Sequence, residues 1–271
     1  MNTREAKIEA FGHLLDVQER LRKECPWDRK QTFQSLRPNT IEETFELADA
    51  LMNNDMHNVK KELGDVMEHV LFYAILGDES DEFDIADVCN QEARKLMFRH
   101  PFIDWTGWRD DPKADSGDMP HNSEEVEQTW EQIKQKEKDG NKTVLSGVPA
   151  SLPSLIKAYR IQDKARNVGF DWEDKGDVWA KVREELGELE EELRRGDKER
   201  SKEELGDFLF SVINAARLYH INPDTALEIT NNKFIRRFNY IEQHSIKVGK
   251  PLTEMTLEEM DKLWLEAKKN E

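Results

Sequence analysis

Two segments of the chain carry the same pattern of acidic residues. Residues 41–72 read IEETFELADALMNNDMHNVKKELGDVMEHVLF, and residues 183–214 read REELGELEEELRRGDKERSKEELGDFLFSVIN. Each segment contains EExxE followed by ELGD, with gaps of 3, 16 and 3 residues between the four key acids. These acids are Glu43, Glu46, Glu62 and Asp65 in the first copy, and Glu185, Glu188, Glu204 and Asp207 in the second. Such an internal repeat indicates a duplicated structural unit.

Two further features recur after the acids in both halves: a Lys and an Arg four residues apart, and then a Trp. The basic pairs are Lys95 with Arg99 and Lys233 with Arg237, and the tryptophans are Trp130 and Trp264. Gly and Pro, which break helices, are frequent between residues 139 and 153. The sequence therefore predicts an N-terminal domain at 1–140, a linker at 141–153 and a C-terminal domain at 154–271.

The spacing of apolar residues is helical along most of the chain. Phe45, Ala48 and Met52 follow the i, i+3, i+7 pattern, and alternating strand-like runs are absent. We predict an all-α protein. Its 271 residues suffice for two domains of about 130 residues each.

Each 3-16-3 pattern is typical of an antiparallel helical hairpin. The midpoint of the acids is Asn54 in the first copy and Gly196 in the second, and both lie in turn-like sequence. Residues three apart share a helix face, and residues equidistant from a turn lie at the same level. Each hairpin is therefore expected to gather four carboxylates, two from each helix. We also expect Gly64 and Gly206, between the ELGD acids, to let a neighbouring helix approach.

A cluster of four carboxylates raises pKa values or binds a cation, because like charges about 5 Å apart repel by roughly 3 kcal/mol. Ligands that are all oxygen suit a hard ion, so we expect Mg²⁺, with Mn²⁺ as a second choice. Three other interpretations stay open. The acids could be ordinary solvated helix faces, Glu43 could close a capping box with Thr40, or the protein could be a non-catalytic helical protein whose acidic face binds a basic partner. A di-iron bundle is disfavoured, since no Glu-x-x-His pair follows the acids.

The basic pairs and the tryptophans have structural interpretations as well as functional ones. Beside a metal site, Lys233 and Arg237 have the charge needed to bind a phosphate chain, and Lys95 and Arg99 offer the same in the first half. Trp264 has two interpretations, a packing residue or a residue that stacks on a base. We interpret His69, whose counterpart in the second copy is Ser211, as a structural histidine.

The composition excludes several classes. The formal net charge of −17 disfavours stable binding to nucleic acid, which requires clustered Lys and Arg. The longest apolar stretch, 70–76, is far shorter than the roughly 20 residues that cross a bilayer, so no membrane partner is expected. Two cysteines cannot form a disulfide framework, which favours a cytoplasmic location.

The acids with the following K-xxx-R resemble those of the MazG nucleoside triphosphate pyrophosphohydrolases. CPWD at 25–28, RHPF at 99–102 and VGFDW at 168–172 are similar to motifs of the two-domain bacterial members. The resemblance implies tandem all-α domains whose bundles are completed by homodimerisation. It also implies Mg²⁺-dependent hydrolysis of NTPs and dNTPs to the monophosphate and pyrophosphate, with broad nucleotide specificity.

The same resemblance assigns roles to individual residues. It implies metal binding by the four acids of the second copy, triphosphate binding by Lys233 and Arg237, and nucleotide binding by Trp264. In two-domain members the activity is chiefly assigned to the C-terminal copy. Here the N-terminal copy keeps all four acids, so a second metal site at Glu43, Glu46, Glu62 and Asp65 and a second phosphate site at Lys95 and Arg99 stay open.

Overall fold

The protein is all-α throughout the described part of the chain, as the sequence predicts. The computed structural model describes residues 1–108, 143–172 and 175–270, together with residues 122, 126 and 133. Within these residues there are nine α-helices and no strand. Their contacts divide the chain into two compact units, Met1–His121 and Asn122–Glu271. The linker at 141–153 stays a prediction. Its first two residues lie outside the described residues, and so does Trp130.

The first unit is built around one helical hairpin. Its helices are α1 (Arg4–Glu24), α2 (Phe33–Met52), α3 (Met56–Asp78) and α4 (Ile85–Arg99). Helices α2 and α3 form the hairpin, and α1 and α4 both pack against α3. The core beneath it contains Leu36, Phe72 and Leu76.

The second unit repeats this plan, and a fifth described helix follows. Its helices are α5 (Ser154–Arg166), α6 (Lys175–Arg195), α7 (Lys198–Leu218), α8 (Pro223–Val248) and α9 (Leu257–Lys269). Helices α6 and α7 form the hairpin, α5 packs against α7 and α8, and α9 packs against α8. Val178, Val182 and Ala215 form a buried cluster between the two hairpin helices.

Both hairpin turns lie where the symmetry of the acids predicts them. Asn54 and Gly196 have positive φ angles of 54° and 77°, the left-handed conformation that Gly and Asn adopt most readily. An aspartate then caps the second helix in each copy. The side chain of Asp55 accepts from the backbone N–H groups of His57 and Asn58, and Asp197 does the same for Glu199 and Arg200. The turn and the cap together fix the register that brings the acids face to face.

Two local expectations are wrong. A Cβ atom added at Gly64 or Gly206 would meet nothing within 4 Å, so no helix of the described chain approaches either glycine. Thr40 does not begin a helix, because α2 starts seven residues earlier with a capping box between Thr32 and Ser35. The interpretation of Glu43 as a capping residue therefore fails. No helix of the described part of the chain combines the length and apolarity that crossing a membrane requires.

Candidate metal and phosphate site

Each hairpin brings three of its four predicted acids together. In the first unit Glu43, Glu46 and Glu62 offer carboxylate oxygens that all lie within 4.8 Å of one another. In the second unit Glu185, Glu188 and Glu204 do the same. The fourth acids, Asp65 and Asp207, lie outside these tight groups. We call the two groups the first and second acid clusters.

The first acid cluster contains a buried carboxylate that lacks a full set of partners. Glu62 is 5% exposed, and its Oε1 accepts from Lys61 at 2.9 Å, but its buried Oε2 has no hydrogen-bond partner. Burial, followed by the charges of Glu46, Asp65 and Glu62, raises the pKa of Glu43. An unpartnered buried oxygen is costly in the absence of a counter-charge, so this donor set fits a cation.

In the second acid cluster, neighbouring negative charges likewise raise the pKa of a glutamate. Burial, then the charges of Glu188, Asp207 and Glu185, raises the pKa of Glu204. Asp207 is therefore close enough to act on Glu204 although it lies outside the tight group. Carboxylate oxygens alone, with accumulated negative charge, are the ligands that hard divalent ions prefer.

A lysine accompanies each acid cluster, and the sequence interpretation missed both. Lys181 is 2.6 Å from Glu185 and 3.0 Å from Glu184, and these bonds raise the pKa of Lys181. Lys61 contacts Glu62 and lies 3.7 Å from Asp65. The i, i+4 spacing of Lys181 with Glu185 was a signal that could have identified it.

A cavity of about 670 Å³ opens beside the second acid cluster. Glu185, Asp207 and Lys181 line one part of it, and the aromatic side chains that line it are Phe170, Trp172 and Phe210. Its volume falls within the range of about 300–1,000 Å³ typical of small-molecule sites. A ligand in this cavity would contact both carboxylates and aromatic side chains.

The pocket beside the first acid cluster is chemically different. It has a volume of about 480 Å³, and five carboxylates line it: Glu42, Glu46, Asp49, Asp55 and Glu62. The other described residues that line it are Phe45, Ala50, Asn53 and Asn58. No basic side chain is among them, so this pocket favours cations over phosphates.

A buried ion pair holds the loop that forms the aromatic wall of the larger cavity. Arg217 is 4% exposed and forms a two-pronged contact with Asp171, while its Nε and Nη2 donate to Asn214 at 3.1 and 2.9 Å. Asp171 lies between Phe170 and Trp172 in the predicted VGFDW motif. Bidentate Arg–carboxylate pairs have well-defined geometry, so this pair fixes the loop against α7.

The two basic pairs occupy equivalent positions in their units. Lys95 and Arg99 are the eleventh and fifteenth residues after the N-cap Asp84 of α4, and Lys233 and Arg237 hold the same places after the N-cap Asn222 of α8. Lys95 is paired with Glu92 on its own helix. Each basic helix packs against the second helix of its hairpin.

Trp264 lies in an aromatic and cationic group between α8 and α9. Its ring centroid is 5.1 Å from that of Phe234, and the guanidinium of Arg237 lies 5.3 Å from its ring. This geometry is a cation–π contact. The interpretation of His69 as a structural residue is confirmed: it is buried, and its Nδ1 lies 3.0 Å from Thr40 Oγ1.

Comparison with known proteins identifies the family. The sequence pattern of the MazG nucleotide pyrophosphohydrolase domain matches residues 31–103 and 176–241, one match in each unit. The chain belongs to the MazG family. Both matched ranges contain a complete acid hairpin and end in or after the helix with the Lys/Arg pair, so the duplicated unit seen in the structure is the MazG domain itself.

Several relatives are similar over nearly the whole chain. The nucleoside triphosphate pyrophosphohydrolase of Escherichia coli K12 is 39% identical over 268 residues, which cover 96% of this chain and 98% of that protein. The nucleoside triphosphate pyrophosphohydrolase/pyrophosphatase MazG of Thermotoga maritima is 38% identical over 261 residues, 95% of each chain. YabN of Bacillus subtilis is 44% identical over 91% of this chain, which spans 49% of that longer protein.

Proposed function

We propose that this MazG protein hydrolyses nucleoside triphosphates to the monophosphate and pyrophosphate with a divalent ion, of which Mg²⁺ is the best candidate and Mn²⁺ the second. The observation that carries the proposal is the second acid cluster, of which Glu185 lines a nucleoside-sized cavity together with Asp207, Lys181 and three aromatic rings. Two relatives of nearly equal length that are named as NTP pyrophosphohydrolases support the reaction type. No base-specific motif is apparent in the sequence, which agrees with broad nucleotide specificity.

The acids of the second cluster would hold the ion. Glu185, Glu188 and Glu204 come from both helices of the hairpin, so they are positioned by the most extensive packing of the second unit. When bound, the ion would neutralise phosphate charge and polarise a phosphorus–oxygen bond. In the first unit Glu43, Glu46 and Glu62, with Asp65 nearby, form a second candidate metal site, supported by the unpartnered oxygen of Glu62.

Asp207 is the carboxylate best suited to accept a proton. It lies outside the tight group, is exposed, and lines the cavity with Glu185. In the proposed reaction the oxygen of a water molecule forms a bond to the α phosphorus while one of its protons passes to Asp207. The bond from that phosphorus to the α–β bridging oxygen breaks, and this oxygen leaves with the pyrophosphate. The sequence pattern predicts that Asp207 is a fourth metal ligand, whereas we propose that it is the general base.

Basic side chains would bind the triphosphate. Lys181 borders the cavity and would exchange its contact with Glu185 for a phosphate oxygen once an ion occupies the acids. Lys233 and Arg237 on α8 would offset charge that develops on the leaving pyrophosphate. Trp264 contributes to nucleotide binding by holding the guanidinium of Arg237 against its ring. Lys95 and Arg99 are the equivalent candidates in the first unit.

The face around the ELGD glycines supports a homodimer. Leu63, Met67 and Val70 are exposed and share one face of α3, next to Gly64. In the second unit Leu205 and Leu209 are exposed next to Gly206. A stripe of exposed apolar residues is typical of an interface, and a second copy of the chain would complete the bundles.

The test of the activity is a panel of NTPs and dNTPs incubated with the protein and Mg²⁺, with pyrophosphate and orthophosphate quantified separately. We expect pyrophosphate and the matching monophosphate in equal amounts. Asp207→Asn should abolish turnover while Mn²⁺ still binds, whereas Glu204→Gln should lose both. Release of orthophosphate alone, or no metal-dependent release, would contradict the proposal.

Light scattering of the native chain and of Met67→Glu tests the dimer.

A further inference from the structure

We propose that the base of the nucleotide stacks on Phe170 in the cavity beside the second acid cluster, an inference that rests on the proposed function. The cavity is continuous with the acids, since Glu185 and Asp207 line it together with Phe170. A triphosphate held at those acids therefore carries its sugar and base into the same space. A volume of about 670 Å³ accommodates a nucleoside.

The exposure of Phe170 has no structural explanation in the described chain. Its side chain is 82% exposed although it borders the cavity, and among the described residues no aromatic ring pairs with it. An apolar ring left in water gives no stabilisation to the fold. The same ring face is a suitable platform for a nucleobase, because stacking on aromatic side chains requires only the π-face that every base has.

The backbone of Phe170 is already fixed in the absence of a ligand. Its N–H donates to the carbonyl oxygen of Ala165 at 3.1 Å, and the preceding Gly169 has a φ of 88° that turns the loop. The next residue, Asp171, is held by the buried Arg217. A platform built on a fixed loop loses little conformational entropy when the base binds.

The matching loop of the first unit places its exposed ring differently, because Trp27 does not line the pocket beside the first acid cluster. A buried glutamine, Gln18 in α1 and Gln162 in α5, marks equivalent positions in the two units. Eight residues after Gln162 is Phe170, whereas eight residues after Gln18 is Pro26. The pocket beside the first acid cluster therefore receives no ring from this loop, and five carboxylates line it.

Two probes separate base binding from phosphate binding. In the presence of Mg²⁺, calorimetry measures the affinity of the full chain for α,β-methylene-ATP, which has a base, and for inorganic tripolyphosphate, which has none. Phe170→Ala should weaken α,β-methylene-ATP binding roughly tenfold to hundredfold and leave tripolyphosphate binding unchanged. Phe170→Tyr should restore the affinity. The matched control is Trp27→Ala, which removes an exposed ring from the equivalent loop of the first unit and should change neither affinity.

Three results would overturn this inference alone: equal weakening of both probes, no weakening of either, or a loss specific to α,β-methylene-ATP in Trp264→Ala but not in Phe170→Ala. In contrast, a wild-type chain that releases no pyrophosphate from any NTP overturns the proposed function itself. Because Phe170 is so exposed, Phe170→Ala is expected to fold normally, and an unchanged thermal unfolding curve verifies this.

Discussion

The two units have the same acids but different surroundings. In both, the hairpin brings three glutamates within 4.8 Å of one another. The pocket beside the second cluster is lined by three aromatic rings, Lys181 and Arg217, whereas the pocket beside the first is lined by five carboxylates, two asparagines and one aromatic ring. The repeated spacing therefore determines where an ion can bind, and the residues outside the repeat determine what that ion can act on.

This difference assigns separate tasks to the two copies. A polyphosphate is repelled strongly by a pocket that five carboxylates line, and much less by one in which Lys181 and Arg217 offset Asp171, Glu185 and Asp207. We infer that the second unit binds and hydrolyses the nucleotide, and that the first unit binds a cation without a nucleotide.

The largest expected effect is on turnover. Glu188→Gln with Glu204→Gln removes two ligands of the second cluster and should lower the rate of pyrophosphate release roughly a thousandfold. The matched pair Glu46→Gln with Glu62→Gln, in the first cluster, should change it less than about threefold. Steady-state rates with ATP and Mg²⁺ measure both. Similar losses in the two pairs would mean that the units share one catalytic task.

A second comparison concerns two arginines that anchor loops, of which Arg217 is buried and Arg22 is partly exposed. Arg217→Ala leaves Asp171 without its partner in a mostly buried position and should destabilise the second unit by about 3–5 kcal/mol. Arg22→Ala in the first unit should cost less, because its partner Glu79 is 46% exposed. Urea denaturation followed by tryptophan fluorescence measures both. Equal losses in the free energy of unfolding would show that burial does not determine how strongly these two pairs stabilise the protein.

Metal binding offers a third comparison. Mn²⁺ at about a hundred times its dissociation constant should stabilise each occupied unit by about 2.7 kcal/mol. Titration by electron paramagnetic resonance should find sites in both units of the wild-type chain. Each pair of glutamine substitutions should remove the sites of its own unit only, and chelation should reverse the stabilisation. If the first unit binds no Mn²⁺, its acids do not form a metal site.

The smallest expected effect is the pH dependence of the Arg22–Glu79 pair. A hydrogen bond from Arg22 lowers the pKa of Glu79, so this pair stabilises the fold above the pKa of an unfolded glutamate, and the effect is lost as the pH falls through the lowered value. Because Glu79 is partly exposed, Glu79→Gln should cost below about 1 kcal/mol at neutral pH. Denaturation at pH 7 and pH 3 should show that the difference from wild type is smaller in acid.

Local spacing was enough to predict the hairpins but not their neighbours. The positions of Asn54 and Gly196 and the meeting of the glutamates depend on helix period and on equal distances from a turn, which a single segment contains. Asp65 and Asp207 fell outside the tight groups because a shared helix face does not fix the direction of a short side chain.

Features that depend on distant contacts had no sequence signal. Arg217 and Asp171 lie 46 residues apart, and nothing in either segment indicates that they pair. The expected helix approach at Gly64 and Gly206 failed for a related reason, since the residue type shows that a helix could pack there but not whether the same chain supplies it. The cavity itself is lined by three helices and two loop segments, which no motif describes.

The brevity of the two hairpin connections has a kinetic consequence. Three residues join α2 to α3 and two residues join α6 to α7, so the contacts that assemble each set of glutamates are close along the chain. Contacts of low sequence separation cost little loop-closure entropy and form early. Each hairpin with its acid cluster should thus be among the first parts of its unit to fold during synthesis. The surrounding helices would pack against it later and complete the pocket.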